Sequence, residues 1–245
     1  MVFREWIQIY QKNNLIKRLF KSNICLTLPP QLKKLEMEYG DKQMQIMEAA
    51  EELFAENGFN GTSVRDISEK AGVNLAMISY YFGSKDKLLE AIFSLRGEST
   101  KLVLEEIVNK PNLPSIEKVY LLIDHYIKKI TDQQCFHRIM VREQSVNNSG
   151  PIAALILNLK KRNFETVKKL ISDGQKNGEF RKNIDAHLLM TTMLGTTNQL
   201  ITSQYYYREI NNLQDMAEDE FQKHLHKKLS TYLKFLFKTI LTNEA

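Results

Sequence analysis

Residues 62–89 read TSVRDISEKAGVNLAMISYYFGSKDKLL. Ser63 and Asp66 have the three-residue spacing of a capping box, and they open a short amphipathic helix. Ala71 and Gly72 then make a turn, and Asn74 can cap the next helix. A small residue lets the two helices approach closely, and glycine adopts a backbone conformation that a side chain opposes. The stretch therefore predicts a helix-turn-helix.

The second of these helices has a predictable orientation. Val73, Ile78 and Phe82 are the apolar side chains that would fill a small core. A turn of ~100° per residue then directs Ala76 and Tyr80 outward. Met77 and Ser79 flank them. A face of this kind has the size and exposure to enter the major groove of DNA.

Residues 46–61, IMEAAEELFAENGFNG, precede this stretch and complete a pattern. Together with the glycine turn, the Tyr-Tyr-Phe end of one helix and the Ser-Lys start of the next, they resemble the DNA-binding domain of the TetR/AcrR family of bacterial transcriptional regulators. The resemblance covers about residues 43–93. It implies an all-α protein in which a three-helix DNA-binding domain is joined by a long fourth helix to a larger all-α domain that dimerises and binds a small effector.

The resemblance also implies which residues contact double-stranded DNA. Contacts with base edges are expected from the start and outer face of the third helix, at Asn74, Leu75, Ala76, Met77 and Tyr80. Contacts with phosphates are expected at Thr62, Ser63, Ser79, Tyr81 and Lys85. Asn74, Ala76 and Met77 depart from the family's usual residues and make this face more apolar. We therefore expect readout to depend on thymine methyl groups and groove shape.

The remainder of the chain has helical apolar spacing with few breaks, since it contains only 10 Gly and 5 Pro among 245 residues. We expect a helix from Ser115, another from Pro151, and one capped by Asp185 that runs to about Tyr207. The predicted units are an N-terminal extension over 1–40, the DNA-binding domain over 41–96, and the effector-binding and dimerisation domain over 97–245.

Two further sets of residues are candidates in the larger domain. Polar side chains that could line an effector cavity between helices are His125, Tyr126, His137, Arg138, Glu143, Asn198 and Gln199. A stripe near the end of the chain, expected to be buried in a homodimer interface, comprises Phe221, Leu225, Leu229, Tyr232 and Leu236.

Residues 1–40 leave three alternatives open. They are amphipathic with a basic opposite face, so they could form an arm on a membrane surface or on the DNA backbone. They could instead be a helix that packs on the body. The third alternative is a dispensable extension or a mis-assigned start, because Met37 and Met44 are both available as start sites.

Composition restricts the class of protein less than the motif does. The net charge is +5, but residues 41–96 hold six basic and nine acidic residues, so bulk charge supports DNA binding only weakly. No apolar stretch approaches the roughly 20 residues of a membrane-spanning helix, and the first 30 residues carry scattered charges. Cys25 and Cys135 have no disulfide-scaffold or metal-binding spacing. We therefore expect a cytoplasmic protein without a membrane partner.

The predicted function is a homodimeric transcriptional regulator, most often a repressor, that binds a palindromic operator and responds to an unidentified small molecule. The alternative is a DNA-bound module that recruits a protein partner and has no effector. An enzyme is disfavoured, because the sequence has no Ser/His/Asp or Cys/His order with supporting glycines and no phosphate loop. No catalytic residue, cofactor or metal site is predicted.

Overall fold

The computed structural model describes residues 39–146 and 151–242. These two ranges contain ten α-helices and no strand, and they confirm the all-α prediction. The N-terminal helices are α1 (Asp41–Asn57), α2 (Val64–Ala71), α3 (Leu75–Phe82) and α4 (Lys85–Val108). They are followed by α5 (Ser115–Asp132), α6 (Gln134–Val146), α7 (Pro151–Lys176), α8 (Ala186–Thr202), α9 (Gln204–Ile210) and α10 (Glu218–Leu241). The predictions made for residues 1–38 lie outside the described residues.

Helix α8 begins as predicted and ends earlier than predicted. The Asp185 carboxylate accepts hydrogen bonds from the backbone N–H groups of His187 and Leu188 at 2.8 and 3.1 Å. The helix was expected to reach about Tyr207, but it ends at Thr202. The Ser203 hydroxyl donates to the Gln199 carbonyl at 2.6 Å, so a side chain competes for a helical acceptor at the point where α9 branches off.

Two hydrophobic cores divide the molecule, and α4 passes through both. Leu88 and Ile92 of α4 lie in the N-terminal core with apolar residues of α1, α2 and α3. Leu104 and Ile107, further along the same helix, lie in the C-terminal core. The N-terminal core also contains Phe136, Ile139 and Ile156 from α6 and α7. The DNA-binding helices are thus packed directly onto the larger domain.

The last helix contributes its apolar stripe to its own subunit. Phe221, Leu225 and Leu229 are fully buried in the C-terminal core, where α10 packs along α5. Their predicted role in a dimer interface is therefore wrong: the stripe is covered within the chain. Asp124 of α5 fixes the register of this pair by accepting from the Ser230 hydroxyl at 2.6 Å and from the Lys234 ammonium at 2.5 Å.

The outward face of α10 has different residues. Tyr232 is 54% exposed and Phe235 is 69% exposed, while Leu236 is half-buried against the core. Of the predicted interface stripe, Tyr232 and in part Leu236 are the side chains still available to a partner. No helix in the described ranges is long and apolar enough to cross a membrane.

Candidate DNA-binding surface

The turn between α2 and α3 is built by one glycine in a left-handed conformation. Gly72 has φ 60° and ψ 38°, and its N–H donates to the Glu69 carbonyl at 3.1 Å. The next N–H, of Val73, donates to the Ser68 carbonyl at 3.0 Å and closes the helix end. A Cβ added at Gly72 would meet no atom within 4 Å. Glycine is required here by the backbone angle rather than by lack of space.

Side-chain caps start both short helices. The Ser63 N–H donates to the Asp66 carboxylate at 2.8 Å, and the Asp66 N–H donates to the Ser63 hydroxyl at 3.1 Å. The backbone hydrogen bond from Ser63 holds the pKa of Asp66 below its ordinary value. The Asn74 carboxamide oxygen accepts from the Ala76 N–H at 2.9 Å and begins α3. The predicted capping residues are confirmed.

Helix α3 is anchored by one side and exposed on the other. Ile78 is 1% exposed and fills the core. Tyr80 is 83% exposed, and Ala76 and Ser79 beside it are exposed as well. Met77 is half-buried against the core. This face can therefore present an aromatic ring, a methyl group and a hydroxyl to a groove.

The flanks of this face also include predicted contact residues. Asn74 and Leu75 are exposed at the start of α3, so both remain accessible to a base edge. Tyr81 is half-buried, and its ring lies edge-on between Tyr80 and Phe82, with centroids at 5.1 and 6.5 Å. Ser63 is exposed although its oxygen caps α2, so its O–H can still donate. The DNA contacts of these residues remain predictions.

Thr62 does not have the position predicted for it. Its side chain is 1% exposed, and its hydroxyl donates to the Gly58 carbonyl at 2.9 Å, with the Leu53 carbonyl at 3.2 Å. A hydroxyl turned into the protein cannot reach a phosphate, so the predicted phosphate contact is contradicted. Thr62 instead closes the loop between α1 and α2.

Lys85 uses two of its hydrogen bonds to hold the same loop. Its ammonium group donates to the carbonyls of Phe59 and Thr62, both at 2.8 Å, and lies 4.3 Å from the centroid of the Phe59 ring. An ammonium group has three donors, so one remains for a phosphate. Lys85 therefore ties the loop to the start of α4, a role that charge alone did not reveal.

Two contacts that the sequence analysis missed connect the DNA-binding helices to the rest of the molecule. Glu51 of α1 is buried and pairs with Arg96 of α4 at 3.0 Å. Arg142 of α6 lies against Gly58, where an added Cβ would be 2.7 Å from its guanidinium carbon. The available signal for the first contact was an acidic residue on the apolar face of α1, next to Ala50 and Phe54.

The candidate effector residues separate into three groups. His137 Nε2 lies 2.8 Å from the Asn198 amide oxygen, so α6 and α8 meet at these residues. His125 and Tyr126 are partly buried on α5. Burial lowers the pKa of His125 to about 4 and raises that of Tyr126 above its ordinary value, so both are neutral at pH 7. Burial also lowers the pKa of His137.

The other three candidates lie elsewhere. Arg138 and Gln199 are exposed, which contradicts their predicted place in a cavity between helices. Glu143 is buried, but it lines a cleft of about 110 Å³ that Arg142 and the loop over residues 57–61 complete. Arg138 and Glu143 lie on α6, which packs on α1, and no pattern in the sequence indicates this contact between distant segments.

A helix-turn-helix with a capped, exposed second helix defines the class of protein as DNA-binding. Comparison with known proteins identifies the family. Residues 46–92 match the model of bacterial regulatory proteins of the tetR family, and residues 112–202 match a tetracyclin repressor-like C-terminal domain. The chain belongs to the TetR family and is a ligand-responsive transcriptional regulator.

Two relatives show how far the similarity extends. The fatty acid metabolism regulator protein of Bacillus subtilis is 27% identical over 172 residues, which are 66% of this chain and 82% of the relative. The transcriptional repressor NicS of Pseudomonas putida is 32% identical over 159 residues, 60% of this chain and 71% of the relative. The relatives named are transcriptional regulators.

Solved structures share the fold. FadR of Bacillus subtilis, in complex with stearoyl-CoA, superposes with a TM-score of 0.57 at 23% identity, covering 78% of this chain and 96% of FadR. The ketosteroid regulator KstR2 of Mycobacterium tuberculosis has a TM-score of 0.64 at 19% identity, covering 84% of this chain and 97% of KstR2.

Proposed function

We propose that this chain is a homodimeric repressor that reads a palindromic operator with the outer face of α3 and leaves it when a small molecule binds the C-terminal domain. The observation that carries the proposal is the arrangement of α3: Ile78 is buried as an anchor while Tyr80, Ala76 and Ser79 face outward. Two such helices in a dimer would occupy half-sites one helical turn apart.

In this proposal the contacts divide into two kinds. The base edges are contacted by Tyr80, Ala76 and Met77. The adjoining base pair of the operator is contacted by Asn74 and Leu75. Ser63, Ser79, Tyr81 and the third donor of Lys85 contact phosphates. Because Lys85 also holds the loop before α2, its phosphate contact would orient α2 and α3 as a unit.

The effector is proposed to bind where α5, α6 and α8 meet, beside His125, Tyr126 and the His137 and Asn198 pair. The fatty acid regulator of Bacillus subtilis supports a small molecule with a hydrocarbon chain, since its name refers to fatty acid metabolism and the FadR structure of that organism holds stearoyl-CoA. From this site, α4 and α6 each lead to the DNA-binding helices, through Arg96 and Arg142. A shift of either helix would change the spacing of the two α3 helices.

The dimer is proposed to use the outward face of α10. Tyr232 and Phe235 are large and exposed, and single subunits of soluble proteins seldom leave such side chains uncovered side by side. The partner in this proposal is a second copy of the chain. The proposed place of action is the bacterial cytoplasm, where the DNA lies, and no catalytic activity is proposed.

The test compares two tyrosines of similar exposure. Tyr80 is 83% exposed on α3, and Tyr205 is 79% exposed on α9. Selection from random duplexes should enrich an inverted repeat with the wild-type protein. Tyr80→Ala should weaken binding to that repeat by about 1 to 3 kcal/mol per half-site in fluorescence anisotropy, and Tyr205→Ala should bind as the wild type does. Equal affinities for Tyr80→Ala and wild type would show that α3 does not read the operator.

A further inference from the structure

Lys129 differs from the two other partly buried cations near α4, Arg96 and Lys128, in the partners of its charge. Its ammonium group donates to the Thr100 hydroxyl at 2.6 Å and lies 6.0 Å from the centroid of the Phe136 ring. The two neighbouring cations have carboxylate partners: Arg96 pairs with Glu51 at 3.0 Å, and Lys128 pairs with Asp132 at 2.5 Å. Among the described residues, no carboxylate forms an ion pair with Lys129.

A cation in this position is costly unless an anion accompanies it. Burial, with the charge of Arg96 as a second cause, lowers the pKa of Lys129 to about 8. The group therefore still carries its charge at pH 7, where one neutral hydroxyl is its hydrogen-bonding partner. An uncompensated buried charge destabilises a fold, so a structural role alone does not account for a lysine here.

Two histidine side chains lie near the charged group of Lys129. His125 precedes Lys129 by one helical turn, and its Nε2 is buried without a hydrogen-bond partner in the described part of the chain. His137 approaches from α6 with Nε2 on the Asn198 amide oxygen. The charge of Lys129 contributes to the lowered pKa of both imidazoles. Imidazoles from α5 and α6 thus lie near the Lys129 charge, and the Phe136 ring is the apolar neighbour of its ammonium group.

We infer that the effector is an amphiphilic carboxylate whose head group binds the Lys129 ammonium, with the His125 Nε2–H as a second donor and the hydrocarbon part beside Phe136. This inference rests on the proposed effector site and specifies its chemistry. The carboxylate supplies the negative charge that the site lacks, and the imidazole supplies the hydrogen bond that is unused.

The position of Lys129 also connects this head group to the DNA-binding helices. Its partner Thr100 donates to the Arg96 carbonyl at 2.8 Å on α4, and the Arg96 side chain holds Glu51 of α1. A bound carboxylate would compete with the Thr100 hydroxyl for the ammonium group and would weaken the repulsion between Lys129 and Arg96. Both effects act on α4 at Thr100. This residue lies one helical turn from Arg96, whose side chain pairs with Glu51 of α1.

The experiment measures the melting temperature of the full chain with decanoate, 1-decanol and decanoyl-CoA below their micellar concentrations. Decanoate should raise the melting temperature of the wild type in a concentration-dependent manner, and decanol should not. Lys129→Met should lose at least tenfold in decanoate affinity and should melt higher than the wild type without ligand. Lys128→Met is the matched control, because it removes a neighbouring lysine that has its own carboxylate, and it should respond as the wild type does.

Four results would overturn the inference: an unchanged decanoate response in Lys129→Met, equal stabilisation by decanol, a response to decanoyl-CoA alone, or no response to any acid from butyrate to palmitate. If Lys129→Met does not fold, Lys129→Gln replaces it. Operator affinity without ligand is measured in parallel. If the Lys129 variant binds the operator with wild-type affinity and no longer responds to decanoate, the inference is supported. If the wild-type protein binds no operator, the proposed function itself is wrong.

Discussion

The helix starts of the DNA-binding half and the pairing of α5 with α10 in the C-terminal half depend on contacts of very different reach. In the first, Ser63 and Asp66 cap a helix across three residues, and Gly72 closes it through a carbonyl three residues back. In the second, Asp124 and Lys234 pair across 110 residues of chain. Local contacts leave a readable pattern in the sequence, and distant contacts do not.

The same difference appears in the apolar residues. On α3, the periodicity correctly separates the buried Ile78 from the exposed Tyr80. On α10, the periodicity correctly finds a stripe with Leu225 in it, yet it cannot say which surface covers that stripe. The structure shows that α5 of the same chain does so.

The largest expected effect distinguishes the two faces of α10. Leu225→Ala removes a fully buried side chain and should lower the free energy of unfolding by about 3 kcal/mol. Phe235→Ala, on the outward face, should leave the subunit folded and raise the dimer dissociation constant. Urea denaturation at fixed protein concentration and sedimentation velocity measure the two effects. If Leu225→Ala were monomeric and as stable as the wild type, the dimer interface would include the stripe of Phe221, Leu225 and Leu229 after all.

A smaller effect distinguishes two glycines that both have open space around them. Gly72 in the turn has φ 60°, whereas Gly195 lies within α8 without a positive φ. Gly72→Ala should destabilise the protein by about 1 to 2 kcal/mol, because a left-handed backbone opposes a Cβ. Gly195→Ala should stabilise it by about 0.5 kcal/mol through the unfolded chain. Equal changes in the midpoint of denaturation would mean that the turn does not depend on its glycine.

The smallest effect compares two serines that both precede a helix. The Ser63 hydroxyl caps α2, whereas Ser203 makes no capping hydrogen bond to α9. Ser63→Ala should cost about 1 kcal/mol of stability. Ser203→Ala should change it by less than about 0.5 kcal/mol, because the bond from its hydroxyl to the Gln199 carbonyl competes with a backbone donor and adds little stability. Chemical denaturation of both variants measures the loss in free energy of unfolding. A larger loss in Ser203→Ala than in Ser63→Ala would contradict the stabilising role assigned to the cap of α2.

Much of the candidate site could be predicted from the sequence. The caps, the turn and the exposure of Tyr80 follow from rules that act over a few residues. Thr62 could not be placed, because the direction of its hydroxyl depends on carbonyls of the preceding loop. Lys85 was expected to be a cation for phosphate, but its neighbours Phe59 and the Thr62 carbonyl are 26 and 23 residues away in the chain.

The sequence by itself determined the helical class, the positions of most helix starts and the outward face of α3, since each depends on backbone hydrogen bonds and side-chain period within one or two turns. Tertiary structure alone decided that α10 is covered by α5, that His137 meets Asn198, and that Lys129 forms no ion pair with a carboxylate of the described residues. These features depend on which helix faces share an interior, and many pairings of amphipathic helices satisfy the same periodicity.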